Sequence, residues 1–277
     1  MQAQTEIKLK GIKRLFYKLG GCSHLYFHII NRHFGHPRPA EERASDLLAG
    51  GIMQQGYQCG MLWGASMAAG AEAFRRFPGE EKAIALTILA TQHIMESFKR
   101  KTSFHDCYDI THCDWEKKTS ILKYFVTGKM ISCFKLAEKW APEAVQAAIE
   151  GLEKYQHGLP EKCKSCATET AKKMGATDEQ SLMVAGFAGG LGLSGNACGA
   201  LSAAIWMHTM AFNLRNPGKV VFRNSPSERA LEAIYRETDY EILCSEITGT
   251  KFNSPDEHTA YIEHGGCETL MAVLANS

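Results

Sequence analysis

Ala49-Gly50-Gly51-x4-Gly56-x2-Cys59-Gly60 recurs at the same spacing as Ala188-Gly189-Gly190-x4-Gly195-x2-Cys198-Gly199. A chain that carries one unit twice has to be read in halves, because the repeat sets the architecture. Downstream, Cys107-Tyr108-Asp109-Ile110-Thr111 matches Cys244-Ser245-Glu246-Ile247-Thr248, and Cys133 aligns with Cys267 across a three-residue gap. Upstream, Cys22 in CSHLYFHIINRHFG pairs with Cys166 in CATETAKKMG, HPRPA accounting for the extra length of the first copy. Four cysteines per half thus occur in one order, and Cys113 and Cys163 are left without counterparts.

Gly and Pro interrupt the helical pattern near HGLPEK, residues 157–162. The division is an N-terminal basic arm over 1–21, a first four-cysteine helical repeat over 22–158 and a second over 159–277. Most of the chain reads as helix. Pro142 stands where a first helical turn would begin, ahead of EAVQAAIEGL. Ser225-Pro226-Ser227-Glu228 and Ser254-Pro255-Asp256-Glu257 combine a Ser cap, Pro at the first helical position and a Glu behind it, and Thr177-Asp178-Glu179-Gln180 is a capping box. Only Lys219-Val220-Val221-Phe222 has strand character. The expected fold is all-α, two similar helical bundles packed with pseudo-twofold symmetry, as two subunits of a dimer would pack.

Lys+Arg and Asp+Glu balance at 31 against 30 in 277 residues, which gives no reason to expect a nucleic-acid partner. Leu47 to Ala71 and Gln180 to Leu214 lack Asp, Glu, Lys and Arg, but clustered glycines and Gln54, Gln55 and Gln58 fit buried core better than a membrane span. Trp63, Met67, Trp206 and Met207 lie in these runs and are expected in the core. The first 21 residues are basic and lack an apolar signal segment, so a reducing, cytoplasmic setting is expected. There thiols serve metal or redox chemistry more often than crosslinking. P-loop, GxSxG, HExxH and dinucleotide-binding signatures are absent.

Cys59 and Cys198 each follow a Gly-x-x segment and open an apolar helical run. A thiol in a first helical turn meets unpaired N–H groups and the positive dipole end, which favour thiolate. The alternative is a small buried residue in a Gly/Ala helix contact. His24 and His28 share a helical face beside Cys22 and could ligate a metal, and His105 and His112 flank Cys107, where they could tune a cluster through outer-shell hydrogen bonds; an ordinary surface role is the competing reading.

The pattern of Cys166, GFAGGLGLSGNACGA, Cys244 and Cys267, repeated through Cys22, Cys59, Cys107 and Cys133, resembles the C-GCAxxG-C-C family in a tandem arrangement. The second half departs by having Ala203 at the last Gly of the motif; the first keeps Gly64 but has Met61 in place of Ala. The family name records cysteines rather than a demonstrated reaction. A similar unit in a split-Soret type cytochrome that carries an iron–sulfur cluster implies a cluster here, whereas c-type haem is not expected. The sole C-x-x-C, Cys163-Lys164-Ser165-Cys166, is followed by Ala167 rather than His.

The expected function is a redox-active cysteine protein, an iron–sulfur electron carrier ligated by Cys22, Cys59, Cys107 and Cys133 and by Cys166, Cys198, Cys244 and Cys267, with another redox protein as partner and homo-oligomerisation open. Zinc, or no cofactor, stays as an alternative for the same thiols. A thiol/disulfide oxidoreductase using Cys198 or Cys166, with Cys163 as a resolving partner, is the second reading; a non-redox helical binding module is the third.

Overall fold

The computed structural model describes residues 9–154, 158–217 and 223–277. The first half contains α1 (Ile12–Leu19), α2 (Cys22–His33), α3 (Pro39–Ala44), α4 (Gly60–Arg76), α5 (Glu80–Thr102), α6 (Cys107–Thr111), α7 (Lys118–Val126) and α8 (Lys129–Lys154). The second contains α9 (Cys166–Lys173), α10 (Asp178–Met183), α11 (Gly199–Arg215), α12 (Ser225–Glu237), α13 (Cys244–Thr248), α14 (Pro255–Glu263) and α15 (Glu268–Ala275). Short 3-10 turns at Ser45–Leu48 and Ala185–Phe187 precede the two glycine clusters. Among the described residues there is no strand beyond two isolated antiparallel bridges, and the fold is all-α. Lys219-Val220-Val221-Phe222 lies outside the described residues.

α4 and α11 are the two axles. Residues 60–73 of α4 are buried without interruption, as are 199–207 of α11, because Ala, Gly and Met leave both helices apolar all round. In the first half α4 is wrapped by α2 and α5, and α5 carries α8; in the second, α11 is flanked by α9 and α12. Trp140 of α8 stacks on Tyr26 and meets Phe98 edge-on, with centroids 4.7 and 4.6 Å away.

The halves join reciprocally. α4 packs on α10 and the Ala185–Phe187 turn, while α11 packs on α3 and the Ser45–Leu48 turn, the equivalent elements of the other copy. Glu41 and Gln180 occupy equivalent positions, 139 residues apart like Cys59 and Cys198, and Gln180 Nε2 donates to Glu41 Oε1 at 3.4 Å. A residue that meets its own counterpart lies beside a twofold axis, so the interface is isologous in the way a symmetric dimer's is.

Two local expectations need correction. Pro142 does not open a helix: α8 runs through it from Lys129 to Lys154. Its missing N–H forfeits one intrahelical bond, at a cost of about 3 kcal/mol, which burial of Trp140, Ala141, Ala144 and Val145 on the same helix offsets. The cap of α12 is Asn224 rather than Ser225; its side chain accepts the Ser227 N–H at 2.9 Å and also reaches Thr209 Oγ1. The caps at Thr177 and Ser254 form as expected.

Candidate functional site

Seven of the eight repeated cysteines stand at helix N-termini. Cys22, Cys107, Cys166 and Cys244 are first residues of α2, α6, α9 and α13, whereas Cys59, Cys198 and Cys267 are N-caps of α4, α11 and α15. Cys133 sits in the second turn of α8. Helix N-termini leave N–H groups unpaired and place partial positive charge beside the sulfurs, which works towards the anionic form and against burial.

The second and third cysteines of each half are tied together by the same backbone clasp. The Cys59 N–H donates to His105 O at 2.7 Å and the Cys107 N–H to Tyr57 O at 2.7 Å; in the second half Cys198 donates to Ile242 O at 2.9 Å and Cys244 to Asn196 O at 2.6 Å. Thr111 and Thr248 then donate to the carbonyls of Cys107 and Cys244, each at 2.7 Å. This explains the Cys and the Thr of the repeated C-x-[DE]-I-T.

The glycine clusters do more than permit close packing. Residues 50–54 all have positive φ, between 51 and 78°, and so do residues 189–193, between 59 and 78°. Ile52, Met53, Gln54, Leu191 and Leu193 each adopt this left-handed backbone at a cost of about 1–2 kcal/mol per residue. The turn folds back so tightly that a Cβ on Gly51 would strike the Tyr57 backbone, and one on Gly190 the Asn196 backbone. It also presents the Gly50 and Gly189 amides to the sulfurs of Cys22 and Cys166.

Burial, not the helix dipole, decides most of the thiol acidities. Burial pushes Cys198 up to about 12 and Cys166 and Cys244 upward, against amide bonds from Leu201 and Ala200 to Cys198. Cys59 also rises, through its hydrogen bond to Cys22 and then through burial. This corrects the expectation of a thiolate at Cys59 and Cys198. Cys22 alone among the repeated cysteines is lowered, mainly by its hydrogen bond with Cys59 and then, against burial, by the Gly50, Ser23 and Cys22 amides. Burial raises Cys133 and Cys267, while Tyr124 and Tyr261 favour their ionised forms through equivalent hydrogen bonds. These tyrosines are 137 residues apart, like Cys107 and Cys244.

Cys22, Cys59, Cys107 and Cys133 line one pocket, and Cys166, Cys198, Cys244 and Cys267 line another. All ten cysteines are free thiols. Among the described residues no three sulfurs lie mutually within 4.8 Å. The first pocket encloses about 410 Å³, the second about 10 Å³, room for a single water. The walls correspond: Trp115 takes the place of Phe252, Ile121 of His258, Phe125 of Ile262 and Met61 of Ala200. In the second half Phe252 packs on His258 and Tyr261, centroids 5.0 and 5.2 Å away, and fills the space. In the first, α1 contributes Phe16 and Tyr17 to a wider wall.

The remaining candidates fall elsewhere. Cys163 donates no wall to the second pocket and is buried beside Thr259; Cys113 is buried beside Ser120. His24, His28 and Glu42 offer ligand atoms within 4.8 Å of one another, but Arg32, at 2.7 Å, Asn31 and the Arg38 amide already occupy the Glu42 carboxylate. Burial raises Glu42, and the bonds from His28, Arg38, Arg32 and Asn31 outweigh it, holding the carboxyl at about 2. His24 Nδ1 lies 3.2 Å from Asp46 Oδ1, which lines the first pocket. His105 offers its carbonyl to Cys59, and His112 ends α6 with φ 51° and lies exposed. No helix among the described residues is long and apolar enough to cross a membrane.

Nothing matches among the curated proteins or the solved structures. A family model described as "Putative redox-active protein (C_GCAxxG_C_C)" matches residues 21–177 and again 161–277. Two matches, each embracing one four-cysteine pocket, make this chain a tandem member of the C_GCAxxG_C_C family.

Proposed function

We propose that the chain is an electron carrier holding one iron–sulfur cluster in each half, ligated by Cys22, Cys59, Cys107 and Cys133 and by Cys166, Cys198, Cys244 and Cys267; the first pocket, at about 410 Å³, has room for a cluster as it stands, whereas the second, at about 10 Å³, would admit one only if Phe252 moved aside. The observation that supports this most is the pair of four-thiol pockets, ringed by helix N-termini. Four cysteines are the usual ligand set of such a cluster, which supplies a one-electron couple when bound. Zinc suits the spacing less well: Zn–S bonds of about 2.3 Å bring tetrahedral sulfurs to about 3.8 Å, and no three described sulfurs are mutually within 4.8 Å.

The chain's own groups would stabilise the anionic ligands. The Gly50 and Gly189 amides hydrogen-bond the first cysteine of each set, and Tyr124 and Tyr261 the last. Such bonds raise a reduction potential by stabilising the more negative state. The electron partner is another redox protein, and Leu122, Phe125, Val126 and Ile131, exposed on α7 and the start of α8 with Phe125 in the wall of the first pocket, offer the apolar surface for it.

Thiol/disulfide exchange has one feature in its favour, the hydrogen-bonded pairing of Cys22 with Cys59, which lowers one thiol and raises the other, and it applies to the first half alone. Anaerobic purification followed by electron paramagnetic resonance after dithionite reduction separates the readings. A cluster carrier gives a reduced-cluster signal and loses visible absorbance on reduction. A chain free of iron that gains a reversible Cys22–Cys59 bond is an exchanger instead.

A further inference from the structure

Two segments of the first half carry positive charge with nothing inside them to balance it. Residues 9–19 hold Lys10, Lys13, Arg14 and Lys18, and residues 117–137 hold Lys117, Lys118, Lys123, Lys129 and Lys135; neither contains Asp or Glu. With the whole chain at +1, the rest of it is net acidic. Lys13 pairs with Glu138 and Lys117 with Asp114, and the other seven cations have no ion pair among the described residues. The segments meet on one side of the molecule. α1 and α7 both pack on α8, Phe16 lies against Phe134 with centroids 4.6 Å apart, and Tyr17 and Phe125 stand in the wall of one pocket.

The same face is apolar. Tyr124 is the only fully buried side chain of α7. Leu122, Phe125 and Val126, spaced i, i+3 and i+4, form a stripe that is 64, 52 and 76% exposed, and Tyr17 of α1 and Ile131 of α8 are exposed as well. A helix in a globular protein turns such a stripe to the core; one that turns it outward between lysines has the character of a helix lying in a bilayer interface. There aliphatic side chains enter the acyl boundary, Tyr and Phe sit at the headgroups, and Lys stems snorkel to the phosphates.

We infer that this face docks the protein on the surface of an anionic lipid bilayer. Two other occupants fit less well. A second copy would set like charge against like, and an acidic protein would meet Lys at eight of nine cationic positions, whereas protein interfaces are depleted in Lys and favour Arg. Docking does not rest on the cluster reading. Where both hold, the first pocket faces the bilayer and its redox partner is one held in that membrane.

The test is co-sedimentation of the full chain with sucrose-loaded vesicles of phosphatidylcholine, alone or with about 30% phosphatidylglycerol. Iron is measured on the same samples, so that docking and cluster binding fail separately. Partition onto the anionic vesicles should exceed that onto phosphatidylcholine at least about tenfold, and fall as NaCl rises from about 50 to about 500 mM. Lys118→Glu with Lys123→Glu, and separately Leu122→Ser with Val126→Ser, should each weaken it about tenfold, because docking needs charge and apolar insertion together. Leu214→Ser, at a leucine that is 73% exposed in the second half, should leave it unchanged. Circular dichroism checks that each variant folds, and the lipid and salt dependence of the wild type carries the test for any that does not. Equal binding to both lipids, binding to neither, loss with the lysine variant alone, or an equal loss with Leu214→Ser would overturn the inference. So would retention on polyglutamate or self-association without vesicle binding, the results that an acidic protein or a second copy predicts.

Discussion

The first half keeps a chamber of about 410 Å³ beside its four cysteines, whereas the second closes the same frame to about 10 Å³. The shared parts are backbone: the left-handed turns, the clasps at Cys59/Cys107 and Cys198/Cys244, and the helix N-termini. The divergent parts are side chains lining the pocket and the added helix α1. Duplication has thus preserved what positions the thiols while releasing what surrounds them.

The largest expected effect tests the shared part. Gly51→Ala and Gly190→Ala each force a methyl into backbone at a φ of +78°, and each should cost at least about 3 kcal/mol, read as the shift in urea midpoint. Tolerance of either would mean that the two turns are not equivalent.

Next comes acid. Glu42 belongs to the first half alone, its counterpart being Ser181. Its folded carboxyl lies at about 2, below the ordinary glutamate value of 4.5, so the stability it contributes is present above pH ~4.5 and drains away as pH falls towards 2, up to about 3 kcal/mol. Urea titrations across that range should show Glu42→Gln flattening this acid limb; an unchanged slope would place the acid sensitivity elsewhere.

Helix contact separates the halves more gently. A Cβ on Gly64 would meet the Ser23 carbonyl of α2, whereas the second half accommodates Ala203, fully buried, at that position. Gly64→Ala should cost about 2 kcal/mol and Ala203→Gly only about 1 kcal/mol. Equal costs would mean that the α2–α4 and α9–α11 contacts are equally tight. Thiol reactivity should differ too: at pH 8 in the metal-free chain, mass spectrometry should find Cys22 alkylated about tenfold faster than Cys166, since one is lowered and the other raised. Matching rates would remove the asymmetry.

The repeat, the helical content and the order of the thiols were legible in the sequence because glycine and cysteine punctuate both copies in register. The five-residue left-handed turns were not: Ile52, Met53 and Leu191 individually disfavour positive φ, and only the pinned ends of the loop hold them there. The thiol acidities escaped as well, because a helix N-terminus is readable from local sequence while burial of Cys59 and Cys198 depends on the whole packing. Tyr124 and Tyr261 were findable, standing at the Cys107-to-Cys244 separation, but a tyrosine within a helix looks ordinary until its hydroxyl is seen beside Cys133 or Cys267. The chamber turns on Trp115 against Phe252, a swap that hydropathy does not register.

The two four-thiol sites are tested most directly by assaying iron and acid-labile sulfide in anaerobically purified wild type, Cys59→Ser and Cys198→Ser, with Cys113→Ser and Cys163→Ser as controls. Matching iron and sulfide in the wild type, about half of each in either single-site variant, and no change in the controls is the expected result. Iron and sulfide absent from the wild type, or zinc bound without sulfide, would contradict it.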